Sequence, residues 1–253
     1  GRFRRRSPMD DRPLLVCVLE AARRDLQGTD RTDLHAAASR CLFDALTCIA
    51  AGGTTEATTP SELASPRIGL DRTGGLLGTI AINAMAANDA DLDDLHWPSL
   101  THPGSMLWPA LVAVGRMLEL SLPSILDAAA LGYQVIGRQS RLLGPEHRRY
   151  FHVSTSCGGV AVAAAVATLL APSDDKVFAA MSHAASGMGG TAQAVREHSR
   201  TTMLHRAYAA SIGTIAAFSH TVTPTVKQPF EGRYGMLAAT GIRPELDLLD
   251  QPF

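Results

Sequence analysis

Apolar and polar residues recur along this 253-residue chain with a helical period almost from end to end. Apolar positions return every three or four residues, the spacing that lines one face of an α-helix. No segment sustains two-residue alternation, and no Asn-Gly pair marks a tight hairpin. Helix starts and stops divide the pattern. Pro13 to Gln27 is a first helix, closed by Gly28, and Asp33 to Ala51 is a second, stopped at Gly52-Gly53. Thr54 to Arg72, rich in Pro and Thr, is a surface connector. Gly75 to Asn88 is apolar nearly all round, as a central helix would be. Pro103 to Leu120 is the next helix, with Pro109 in or near its first turns. Ser121 to Leu143 continues helical, and Gly144 to Tyr150 is a charged loop. His152 to Ala171 turns inward again, and Asp174 to about Ser186 forms a further helix. Gly187 to Gly190 is a break, and Thr191 to Thr202 is polar and irregular. Met203 to Val222 is a long helix, Phe230 to Ala239 a short one, and Ile242 to Phe253 an irregular tail. The expected fold is all-α, one compact multi-helix domain over residues 13–253 whose Ala-rich helices pack closely. Residues 1–12 are expected to be a disordered leader or expression remnant, with Met9 as the natural start.

Composition narrows this picture. The apolar share is 46% and the formal charge −1, so nothing argues for nucleic-acid or membrane affinity. The basic start, Gly1 to Pro8, runs into Asp10 and Asp11 rather than an apolar core, so it is no secretory signal. The longest apolar run, Gly158 to Ala171, is too short to span a bilayer and suits a buried helix. The four cysteines, Cys17, Cys41, Cys48 and Cys157, show no C-x-x-C spacing. Free thiols in a reducing cytoplasm fit them better than disulfides or zinc. Only Lys176 and Lys227 offer lysine chemistry.

Acid–base capacity concentrates between two helices, from Asp91 to Pro103. This loop holds Asp91, Asp93, Asp94, His96 and His102, and loops held by rigid elements are where catalytic groups gather. His102 suits proton transfer near neutral pH; its plain alternative is a loop or capping histidine. Asp91 has like charges nearby that raise a carboxyl pKa; its alternative is a solvated acidic loop. His152 opens a helix beside Ser154, Thr155 and Ser156, where free N–H groups favour an anion and a charged imidazole adds a bond; the alternative is a simple cap. Arg206, Arg196 and Arg200 are candidate anion binders or ordinary exposed arginines. Gly187 to Gly190 either lets backbone approach a ligand or merely ends a helix. Asp91, Asp93, His96 and His102 are also conceivable metal ligands, but their spacing is a weak metal signature, and the expectation is no metal and no cofactor. Nucleotide, serine-hydrolase and zincin motifs are absent from the sequence.

Several stretches, in order, resemble the MmgE/PrpD family of 2-methylcitrate dehydratases and cis-aconitate decarboxylases. They are Phe43-Asp44-Ala45-Leu46 to Gly52; Asn83 through Asp94, then His102-Pro103 and Pro109-Ala110-Leu111; Gly132-Tyr133-Gln134 with Arg138; His152-Val153-Ser154 with Gly158; and Leu204-His205 with Ala209-Ala210 and Gly213. The resemblance implies a helical domain, metal-free chemistry, a homodimer built on apolar helix faces, catalytic roles for His102, Asp91 and His152, and substrate contacts from Ser154 and His205. It also marks departures. Asn88 stands where the family usually has His, Leu95 where it often has a substrate-contacting Thr, Gln134 where it has Glu, and Thr202 where it has the active-site Lys. Arg206, one turn past Thr202, is positioned to substitute for that charge. The family's following α/β domain is not in this sequence, so the site is expected to be open, completed by a separate chain, or differently used.

Two functional expectations follow. The first is a cytoplasmic lyase or isomerase working beside a carboxylate or carbonyl of a small-molecule substrate by dehydration, decarboxylation, epimerisation or cyclisation. Without the Lys, that substrate is expected to be larger or less charged than methylcitrate, such as a specialised-metabolite intermediate. The second is a partner-dependent helical subunit or non-catalytic binding module.

Overall fold

The helical period is realised in a computed structural model that describes residues 12–52, 75–171 and 173–249. Among these residues the chain forms ten α-helices and no strand. They are α1 (Leu14–Gln27), α2 (Arg31–Gly52), α3 (Gly75–Asn88), α4 (Gly104–Met117), α5 (Leu122–Tyr150), α6 (Val153–Leu170), α7 (Asp174–Ser186), α8 (Gln193–Arg196), α9 (Thr201–Phe218) and α10 (Met236–Thr240), followed by a 3-10 turn at Leu246–Leu248. The fold is all-α. Residues 1–11 of the leader, the Thr54–Arg72 connector and the last four residues of the tail lie outside the described residues; Arg12, the last residue assigned to the leader, ion-pairs with Glu20 of α1 at 2.8 Å.

Helix α6 carries no charge, and its side chains from Val153 to Ala167 are buried. Helices α4, α5, α7 and α9 surround it, while α3 lies against α2, α4 and α9. Small residues set the closest crossing. A Cβ on Gly213 of α9 would sit 2.5 Å from the Gly159 carbonyl oxygen of α6, so backbone meets backbone there. Helices α2 and α6 are long and apolar enough to cross a bilayer by length and composition alone. In α6 that apolar surface faces the protein interior; α2 leaves much of its own outside, including the ring of Phe43.

Three elements differ from the sequence expectation. Gly144 to Tyr150 is not a loop. Gly144 takes φ +70°, which bends α5, and a second helical segment starts at once. Pro145 suits a first helical position, and Glu146 followed by His147, Arg148 and Arg149 complements the helix dipole. The short helix expected over Phe230–Ala239 is reduced to Met236–Thr240, residues 230–235 forming turns instead; Pro109 lies in the second turn of α4, near its start as expected. The irregular stretch before α9 contains the single turn of α8, and α9 starts two residues earlier than expected.

Long-range polar contacts fix how the ends meet. Arg138 of α5 is fully buried; it ion-pairs with Asp25 of α1, donates to the Leu249 carbonyl and reaches Gln134 Oε1 at 3.3 Å. Glu231 Oε1 accepts from the Leu14 N–H at 3.2 Å, satisfying a donor that the start of α1 leaves open.

Candidate active site

The loop from α3 to α4 is built by its own polar groups. Asp91 adopts φ +53°, a left-handed conformation that Asp tolerates better than most residues. The chain turns there and Asp93 follows inward, only 5% exposed. Asn88, at the end of α3, donates from Nδ2 to Asp93 Oδ1 at 3.0 Å and to Asp91 Oδ1 at 3.4 Å. Asp94 points the other way: its Oδ1 accepts from the Gly104 N–H at 2.8 Å and its Oδ2 from the Tyr133 hydroxyl at 2.5 Å. It therefore caps α4. His96 turns to Ser99, 2.7 Å away, and Ser140 of α5 donates to the Ser99 carbonyl at 2.6 Å, which pins the loop to the core.

This scaffold presents His102 to a cleft of about 330 Å³. Its wall includes Asn88, Asp89, Asp91, His102, His152, His198, Ser199, Arg200, Thr202 and Arg206. His102 Nδ1 lies 3.3 Å from the Asp93 carbonyl oxygen and 3.5 Å from Asp93 Oδ1. A carbonyl only accepts, so Nδ1 carries the proton and Nε2 is the nitrogen left for the cleft. Burial draws the imidazole pKa down, but the hydrogen bond and charge of Asp93 outweigh burial and the net shift is upward. Asp93 shows the converse: burial pushes its pKa up, and His102 with Arg206 brings it below the ordinary value.

The second wall comes from the start of α6 and from α9. Arg206 is 2% exposed, and its Nη1 donates to His152 Nε2 at 3.3 Å. A guanidinium only donates, so His152 is protonated at Nδ1, which donates to His205 Nδ1 at 3.0 Å. Burial, then Arg206, pushes the His152 pKa down to about 2. His152 is thus a neutral ring with both nitrogens engaged. The expected charge-assisted bond from a cationic His152 to substrate is not available, because burial, and after it the neighbouring guanidinium, holds the ring neutral.

The structure places the remaining sequence candidates as follows. Asp91 and Thr202 line the cleft. Ser154 is buried beneath it, where its Oγ accepts from the His102 backbone N–H at 3.1 Å. It positions His102 rather than touching the cleft. His205 stands behind His152, and Leu95 is partly exposed outside the cleft wall. Arg206 is not an exposed arginine; Arg196 and Arg200 are. Gly190, at φ +87°, accepts from the His152 N–H at 2.9 Å, and a Cβ there would strike Thr155. The glycine break therefore packs against the start of α6.

Asp93 carries more of the site than its sequence neighbours suggested. Asn88 and Arg206 hold it, and no spacing rule singles it out from Asp91 or Asp94. Asp91, Asp93 and His102 bring possible ligand atoms within 4.8 Å of one another, whereas His96 is not part of this group. The nitrogen of His102 that faces Asp93 carries a proton, and Arg206 already supplies positive charge beside that carboxylate. The donor set fits proton sharing better than a divalent ion.

A family model described as the MmgE/PrpD N-terminal domain matches residues 24–249. No curated protein matches the sequence.

Proposed function

Since the chain belongs to the MmgE/PrpD family, we propose that it is a lyase or isomerase moving protons at a carbon beside a carboxylate or carbonyl. The observation that carries this reading is the His102–Asp93 pair. Asp93 is buried against Nδ1–H of His102, and Nε2 has no protein partner among the described residues. Such an imidazole takes a proton through Nε2, and the carboxylate behind it stabilises the imidazolium that forms. In a dehydration, Nε2 removes the proton from carbon and then delivers it to the departing hydroxyl. In an epimerisation, the proton returns to the opposite face of the same carbon after the planar carbanion turns over. Ser154 holds the backbone of His102, and Asn88 holds Asp93, so the pair is fixed before substrate arrives. The four free cysteines suit a cytoplasmic location.

The test is His102→Gln, with folding checked by circular dichroism and solvent-deuterium exchange at the substrate carbon followed by NMR. We expect turnover and exchange to fall by about 10²–10⁴-fold. Undiminished exchange in a folded variant sinks the reading.

A second reading, a partner-dependent helical subunit, is favoured by one observation. Trp97 is 74% exposed and Leu92 70% exposed on the loop that carries His102, and apolar surface beside a site suits a covering partner. The homodimer implied by the family resemblance is one such partner. Phe43 of α2 and Tyr208, Ile215 and Phe218 of α9 are also exposed, on two helices that both pack against α3. Sedimentation separates the cases: a monomer with full turnover removes the need for a partner.

A further inference from the structure

The cleft wall holds two arginines in different states. Arg200 is exposed and ion-paired to Asp89, whose side chain is 2% exposed. Arg206 is buried and, among the described residues, has no carboxylate within hydrogen-bonding distance. Its Nη1 is spent on the neutral ring of His152, and its Nε is unpartnered, 4.0 Å from Asp93 Oδ2. That oxygen is buried and unpartnered too. Asp93 is thus divided between His102 and Arg206 without closing a full ion pair on the arginine.

A desolvated guanidinium in this state is costly on its own and favours an incoming anion. Only one such position exists among the described residues of the cleft wall. Asp91, also in the wall, has no cation within ion-pair distance among the described residues; its described hydrogen-bond partner is Asn88. Thr202, one turn before Arg206 on the same helix, carries no charge and donates its hydroxyl to the Ser199 carbonyl at 3.1 Å. A second ligand carboxylate would meet Asp91, or the already neutralised Asp89–Arg200 pair, with no counter-charge. The cleft volume of about 330 Å³ lies at the small end of ligand pockets.

We propose that Arg206 anchors a single carboxylate and that the substrate is a small monocarboxylic acid, held so that the carbon beside that carboxylate faces His102. This rests on the acid–base reading of His102 for its chemistry, but the anchoring itself is measurable without turnover. Of the two departures expected for the substrate, it is lower charge that the wall favours.

The experiment is calorimetric binding of 3-hydroxybutyrate, crotonate, succinate and citrate to the full chain. The variants are Arg206→Gln and the double variant Arg206→Gln/Asp93→Asn, which removes both charges so that neither is left buried alone. We expect the two monocarboxylates to bind the parent at least about tenfold more tightly than succinate or citrate, a single charge-assisted contact setting the difference. Both Arg206 variants should lose monocarboxylate binding by about 10–100-fold. Citrate binding as tightly as the monocarboxylates, no monocarboxylate binding, or unchanged binding in the double variant overturns the proposal. Deuterium exchange on the same ligands separates the two readings. Arg206-dependent binding without exchange removes the acid–base role of His102 alone. Exchange that survives alongside Arg206-independent binding removes the anchor alone.

Discussion

At the residue scale, adjacent carboxylates in one loop are assigned opposite duties. Asp94 caps α4 and receives Tyr133, while Asp93 turns inward to His102 and Arg206. The sequence marks the loop as acidic and places His102 in it, but it does not show which acid is buried. That depends on the turn at Asp91 and on Asn88 reaching forward from α3, neither of which leaves a periodic trace. A prediction belongs here. With Asp93→Asn, the burial and Arg206 contributions that pull the His102 pKa down lose their opponent. The imidazole should then titrate below its ordinary value of about 6.5 instead of above it, as NMR titration of the ring protons would show. The stability consequence has a definite sign. A histidine whose folded pKa is raised contributes stability that is complete below about pH 6.5 and is lost as pH rises through the folded pKa. The destabilisation caused by Asp93→Asn should therefore be larger near pH 6 than near pH 9. Equal destabilisation at both would show that His102 and Asp93 are not coupled.

At the scale of elements, the helices were largely legible because the core is made by period. The central helix α6 is a run of small and apolar residues that is buried from Val153 to Ala167, α3 is apolar nearly all round, and α7 and α9 each bury one periodic face. What misled was composition taken without its signals. Gly144 to Tyr150 is charged, yet Pro145, Glu146 and the basic residues after them stand in helix-start and helix-end order. The crossing of α6 with α9 was less legible, since glycines inside helices weaken a helical reading until a partner backbone is seen against them. Gly213→Ala tests that crossing. The added methyl would meet the Gly159 carbonyl oxygen at 2.5 Å and Val162 Cβ at 2.6 Å, and neither can move without shifting a helix. The gain in intrinsic helix propensity, about 1 kcal/mol, is outweighed by overpacking of about 1–3 kcal/mol or more. We expect net destabilisation in urea unfolding, together with weaker ligand binding because α9 also carries Thr202 and Arg206. A variant more stable than the parent would mean that the helices do not touch there.

At the scale of the whole molecule, the protein keeps several imidazoles neutral inside the bundle, and this sets its response to acid. His147 is fully buried; its Nε2 lies 2.7 Å from Ser156 Oγ, its ring stacks on Phe151 at 4.7 Å, and its Nδ1 has no partner among the described residues. Burial, with Arg148 next, pushes its pKa down to about 4, and His152 lies lower still. Between the ordinary value of about 6.5 and these depressed values the unfolded chain binds protons that the folded chain refuses. Folding stability must then fall as pH falls, by about 1.4 kcal/mol per pH unit for each such histidine. Asp94 and Glu231, raised by burial, act in the opposite sense, so the sharp measurement is a comparison rather than an absolute slope. His147→Gln keeps a polar group near Ser156 and removes one titrating ring. It should cost stability at pH 7.5, where the stacked ring is lost, yet flatten the dependence on pH between about 6.5 and 4.5 by about 1.4 kcal/mol per unit relative to the parent. Urea unfolding at several pH values reads both quantities. Parallel stability curves for parent and variant would mean that His147 is protonated alike in the folded and unfolded chain, and that its burial at the joint between α5 and α6 does not govern acid sensitivity.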